Sequence, residues 1–73
     1  MSTLAELGVG AVARVARVDG LDEISIRLME MGLIPGTELR VLGVAPLGDP
    51  IEIEVRGYRL SLRKSEAARV ELT

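Results

Sequence analysis

Apolar residues recur at two spacings along this chain, and each spacing predicts its own element. Ile51-Glu52-Ile53-Glu54-Val55 alternates strictly between apolar and acidic. That is the period of a strand with one face on a core and the other in water. Glu38 to Val44 also reads as a strand, with Leu39 and Val41 on one face and Leu42 and Val44 on the other. Two apolar faces predict a central position in the sheet. Val12 to Val18 is rich in Val and Ala, but Arg14 and Arg17 fall on opposite faces of a regular strand. A bulge or strong bend, as found in small barrels, reconciles the pattern. The second spacing is helical: Leu21, Ile24, Leu28 and Met31 recur at i, i+3, i+7 and i+10, a single apolar stripe that leaves Ser25, Arg27 and Glu30 off it.

The stretch from Arg27 to Gly36 organises the chain, because it ends the only sizeable helix predicted. Asp22 or Asp19 supplies the N-cap, and Glu23 adds negative charge at the positive end of the helix dipole. Gly32 suits the left-handed position after the last turn, and Leu33 and Ile34 then pack back on the helix end. Pro35 prevents the helix from resuming, and Pro35-Gly36 fits the centre of a type II turn. Upstream, Leu4 and Leu7 predict one helical turn or an edge segment that lids the core. Downstream, Gly57-Tyr58 predicts a two-residue hairpin loop, with Val55 opposite Leu60, Ile53 opposite Leu62 and Glu52 opposite Arg63. Ser65 is expected to cap one helical turn over Glu66 to Ala68, and Arg69 to Leu72 forms a last short strand. The sum is a mainly β domain spanning residues 1–73: about five short strands in a strongly bent barrel, with one helix inserted after the first.

Composition narrows the chemistry. A chain of 73 residues buries only about 60% of its unfolded surface, so its core is small. It has no cysteine and no histidine, which removes disulfides, thiolate ligands, the commonest general base and the commonest metal ligand. The serines have nothing to activate them, and no glycine loop is built to cradle phosphate. No enzyme activity and no cofactor are expected. Nine basic and eleven acidic residues give a net charge of −2, which argues against a nucleic-acid partner. Tyr58 is the one aromatic residue, too little for a proline-peptide groove or a base-stacking platform. No signal peptide and no apolar run near the roughly 20 residues of a membrane span are evident, so a cytoplasmic location without membrane insertion is expected.

Three motifs, in order, carry a resemblance. Arg27-Leu28 with Met31-Gly32-Leu33-Ile34-Pro35-Gly36, then Val44-Ala45-Pro46-Leu47-Gly48-Asp49-Pro50-Ile51, then Leu60-Ser61-Leu62-Arg63-Lys64-Ser65-Glu66-Ala67 together resemble the FeoA family. The resemblance covers about Leu4 to Leu72. It implies a Src homology 3-like barrel and a role as a cytosolic accessory of ferrous-iron transport, beside FeoB, a membrane transporter with a GTPase domain. It also implies an alternative, a stand-alone regulatory domain similar to the C-terminal barrel of iron-dependent repressors.

Six residues are expected at a partner contact. Pro46 and Leu47 come first: an apolar side chain on a loop stiffened by Pro46 and Pro50 costs little entropy to dock. The same loop is explained structurally by the turn it makes. Met29, Leu33 and Ile34 form an apolar patch if exposed, or cap the barrel end if buried. Arg59 belongs to a basic cluster with Arg56, Arg63 and Lys64, which is either a solvated hairpin neutralised by Glu52 and Glu54 or a contact for an acidic partner or anionic lipid. A weak homo-oligomer is a further expected association.

Overall fold

The computed structural model describes residues 2–73. Its elements are a 3-10 turn (Leu4–Glu6), β1 (Val12–Val18), α1 (Glu23–Glu30), β2 (Glu38–Val44), β3 (Ile51–Val55), β4 (Tyr58–Leu62), α2 (Lys64–Ala67) and β5 (Val70–Leu72). The strands form one antiparallel sheet in the order β4-β3-β2-β1-β5, with β2 central as its apolar faces predict.

Two bulges bend this sheet into a barrel. In β1 the register against β5 shifts between Val15 and Arg17, so Ala16 is the extra residue. That shift returns Arg14 and Arg17 to the same exposed side and leaves Val15 fully buried, which resolves the imperfect alternation. In β2 the register against β3 shifts between Val41 and Gly43. β3 buries Ile51, Ile53 and Val55 and exposes Glu52 and Glu54, as its alternation requires. The core is completed by Leu39 and Val41 of β2, Leu62 of β4, Val70 and Leu72 of β5, and Leu4, which lids it from the N-terminal turn.

α1 differs from its predicted stripe. Asp22 is the N-cap, its side chain accepting the Ser25 amide at 3.1 Å. Leu21 therefore precedes the helix and is 97% exposed, and Ile24, 37% exposed, lies outside the buried face. The buried face is Ser25 and Leu28, with Met31 packed partly against the core. Ser25 is tolerated inside because its hydroxyl donates to the Asp22 carbonyl at 2.8 Å, which satisfies it locally. The helix stop is as read from Gly32: φ is +110° there, the Leu33 amide reaches the Leu28 carbonyl and the Gly32 amide the Met29 carbonyl. These paired bonds are the Schellman arrangement, whose apolar contact Leu33 supplies. Thr37 N–H to Ile34 C=O, with Gly36 at φ +88°, closes the type II turn at Pro35-Gly36.

The hairpin corrects the predicted register. Its loop is Arg56-Gly57, both at positive φ, so Val55 faces Tyr58, Ile53 faces Leu60, and Ile51 faces Leu62. Two central residues at positive φ make a type I′ turn, whose twist matches the strands. The slip is by two residues, so apolar still meets apolar. Arg59 now lies opposite Glu54 instead of Arg56, which removes the like-charge contact the other register would create. Glu52 faces Ser61 instead of Arg63. The last helical turn begins after Arg63 instead of Ser65, because the Glu66 carboxylate reaches back to the Arg63 amide at 2.9 Å.

Candidate functional site

The Ala45–Pro50 loop joins β2 to β3 and is closed by its own backbone. Ala45 N–H donates to the Pro50 carbonyl and Gly48 N–H to the Ala45 carbonyl. The Asp49 side chain accepts the Lys64 amide at 3.1 Å, which ties the loop to the start of α2. Held this way, the loop projects Leu47 outward at 94% exposure. Pro46 is exposed beside it. An isolated apolar side chain on a braced loop adds nothing to the core.

Two clefts adjoin this loop. One, of about 270 Å³, is lined by Gly43, Val44, Ala45, Pro50, Glu52 and Ser61. The other, of about 590 Å³, is lined by Ile24, Arg27, Pro50, Ser61, Arg63, Ser65 and Glu66. Pro50 and Ser61 belong to both, so a continuous groove runs from the end of β2 past β4 to the outer side of α1. Its polar rim is partly neutralised: Arg27 pairs with Glu66, and Arg59 with Glu52 at 3.4 Å. Arg63 and Lys64 have no acidic partner within salt-bridge distance among the described residues.

The six residues expected at a partner contact separate. Pro46 and Leu47 are exposed together. Leu33 is not available to a partner, because it is fully buried as the apolar contact of the helix stop. Met29 is half-buried and Ile34 is 38% exposed beside the Pro35 turn, and neither lines the groove at the loop. Arg59 is exposed and ion-paired. The groove instead uses Ile24 and Arg27 from α1, which the periodicity assigned to the core stripe and to its polar edge. Asp22 as the cap places Leu21 outside the helix, but no local pattern shows that Ile24 turns from the core.

At the N-terminal end of α1, Asp22 meets Arg69 at 2.6 Å. The Arg69 guanidinium, with the Ser25 amide, holds the Asp22 carboxyl below its ordinary pKa, and the same contact raises Arg69. Tyr58 donates its hydroxyl to the Met31 carbonyl and so fastens the C-terminal end of the helix to the hairpin. Among the described residues there is no group of three or more Asp or Glu placed to hold a metal ion, and no helix long and apolar enough to cross a membrane.

The FeoA domain family model matches residues 2–73. The chain belongs to the FeoA family. A fusion protein of Porphyromonas gingivalis, named Fe(2+) transport protein A/Fe(2+) transporter FeoB, is 38% identical over 69 residues. The match takes in 94% of this chain and 8% of that protein, so the chain spans a small fraction of this relative. The crystal structure of Stenotrophomonas maltophilia FeoA complexed with zinc, described as a prokaryotic SH3 domain protein, superposes with a TM-score of 0.90 at 38% identity, covering 100% of this chain and 91% of that one. The Src homology 3-like barrel and the association of the family with iron transport follow. A manganese-dependent transcriptional repressor superposes with a TM-score of 0.89 at 20% identity, over 99% of this chain and 35% of that one, a likeness of fold alone.

Proposed function

We propose that this FeoA-family chain is a non-catalytic, cytoplasmic accessory of ferrous-iron transport that docks on a FeoB-like transporter and modulates its GTPase or gating. The single observation that carries the reading is the Porphyromonas gingivalis relative, in which a homologous domain and the transporter share one polypeptide. Fusion turns a weak encounter into an intramolecular one at high effective concentration, which benefits partners that act together. The braced loop supports a protein contact: Leu47 is held outward before any partner arrives, so docking it orders little. Pro46 flanks it, and Ile34 and Met29 offer a secondary apolar surface at the helix end. Arg59 contributes at the rim.

The test is a titration of isotope-labelled domain with the cytosolic part of the transporter, with and without guanine nucleotide. Amide shifts concentrated at Leu47, Gly48 and Asp49 are expected. An absence of shifts under every nucleotide condition rejects docking.

A further inference from the structure

The two edges of the sheet are treated differently. At the β5 edge, Thr3 bridges to Glu71 and the Leu72 amide donates to the Ser2 carbonyl at 3.0 Å, so the N-terminal segment covers that edge. Among the described residues β4 pairs only with β3, and no strand lies on its other side. In an antiparallel ladder, hydrogen-bonded pairs alternate with pairs whose N–H and C=O groups point away from the neighbour. A two-residue hairpin loop makes its flanking residues, Val55 and Tyr58, a hydrogen-bonded pair. Leu60 and Leu62 then also bond to β3, and Arg59 and Ser61 turn their backbone N–H and C=O outward. Neither residue has another backbone partner among the described residues. The β3–β4 register is unbroken by a bulge and β4 contains no proline, so two common edge protections are missing.

This edge opens on the groove. Ser61 lines it on the strand side, and Ile24 and Arg27 face it from α1. The Arg63 and Lys64 side chains stand at the end of β4 with no salt bridge among the described residues, while their amides hold the Glu66 and Asp49 carboxylates, so two cationic side chains are left to pair there. We propose that the outer edge of β4 is a strand-addition site, at which an extended acidic segment of another protein pairs with the backbone of Arg59 and Ser61 and sets carboxylates against Arg63 and Lys64. Main-chain bonds supply affinity in this mode, and alternate side chains supply specificity. The apolar side chains of such a segment meet Ile24 and Pro50. The site lies on a different element from the Leu47 loop and does not depend on which protein that loop meets.

The experiment uses the labelled chain and an acetylated, amidated peptide of three Glu-Val repeats. Its controls are the Lys-Val peptide and the backbone N-methylated Glu-Val peptide. Expected are solvent-exchange rates slowed about tenfold or more at the Arg59 and Ser61 amides, and unchanged exchange at Leu60, which already bonds to β3. The Lys-Val and N-methylated peptides bind at least about tenfold more weakly, having lost the charge match or the donors. Ser61→Pro removes one outward N–H and weakens binding. Should that variant not fold, the N-methylated peptide reads the same bond on the native chain. Three results overturn the proposal: binding without protection at Arg59 and Ser61, equal binding by the Lys-Val or N-methylated peptide, or protection of both amides in the peptide-free chain that grows with protein concentration, which assigns the edge to a second copy.

Discussion

Leu47→Ala separates docking from folding. The side chain is 94% exposed, so folding removes about one-twentieth of it from water. Full burial of a leucine contributes about 1.5–3 kcal/mol, and this fraction of it about 0.1–0.2 kcal/mol. For a domain of this length 1 kcal/mol moves Tm by about 4–8 °C, so the variant should melt within about 2 °C of the parent. Binding responds differently. Leucine to alanine removes the equivalent of three methylene groups at about 0.8 kcal/mol each, so a Leu47 that becomes fully buried under a partner loses about 2 kcal/mol, roughly 30-fold in Kd. The assay is calorimetric titration with the transporter's cytosolic part, paired with thermal unfolding of each variant. Leu33→Ala is the control. It empties a fully buried position and should cost about 2–5 kcal/mol, much of the stability of so small a domain. An unchanged Kd for Leu47→Ala, or a Tm loss comparable to that of Leu33→Ala, refutes the assignment of Leu47 to docking.

Further outcomes follow from the helix ends and the turns. Gly32→Ala and Gly57→Ala both place a side chain at positive φ, but a Cβ at Gly32 meets the Tyr58 hydroxyl at 2.8 Å, whereas at Gly57 nothing lies within 4 Å. Chemical denaturation should show the Gly57 change costing about 1 kcal/mol and the Gly32 change distinctly more. Asp22 has a lowered pKa in the folded chain, so its carboxylate stabilises fully above the unfolded value of about 3.9, and that contribution is lost as pH falls from there through the folded value. Asp22→Asn should therefore flatten the acid limb of a pH–stability profile and leave the profile above about pH 5 parallel to the parent. Glu66→Gln weakens the pair with Arg27 and the bond from the Arg63 amide. It should release the first turn of α2, seen as faster amide exchange at Arg63 and Ala67.

What could be read from the sequence follows physical lines. β3 is legible because Ile51 to Val55 alternates without exception, and one buried strand face beside one exposed face needs no further context. The Gly32 stop and the Pro35-Gly36 turn were legible because positive φ and a missing amide are properties of single residues. α1 departs from its stripe in rotation: Ser25 is buried where the periodicity predicts Ile24, and a small polar residue can face the core because the Ser25 hydroxyl is satisfied by its own turn. The hairpin was misread by one loop position, since Arg56 at positive φ is a conformation glycine advertises and arginine does not. The loop at Leu47 was visible as a candidate, but the groove beside it joins residues of α1, β4 and α2, and no local pattern announces such a junction. Leu33 was ambiguous until the helix stop fixed which way it points.

The strand bridge at Thr3 and Glu71 has a bearing on how such a barrel is joined to other chains. It brings the first described residues and the last strand side by side. A polypeptide attached at either end therefore leaves from the same side of the sheet, at the edge already covered, and the bare edge of β4 stays clear. The barrel can be strung onto another protein from its front or its back without rewiring its strands. A circular permutant with new ends between Asp19 and Gly20, in the link from β1 to α1, should keep the fold for the same reason.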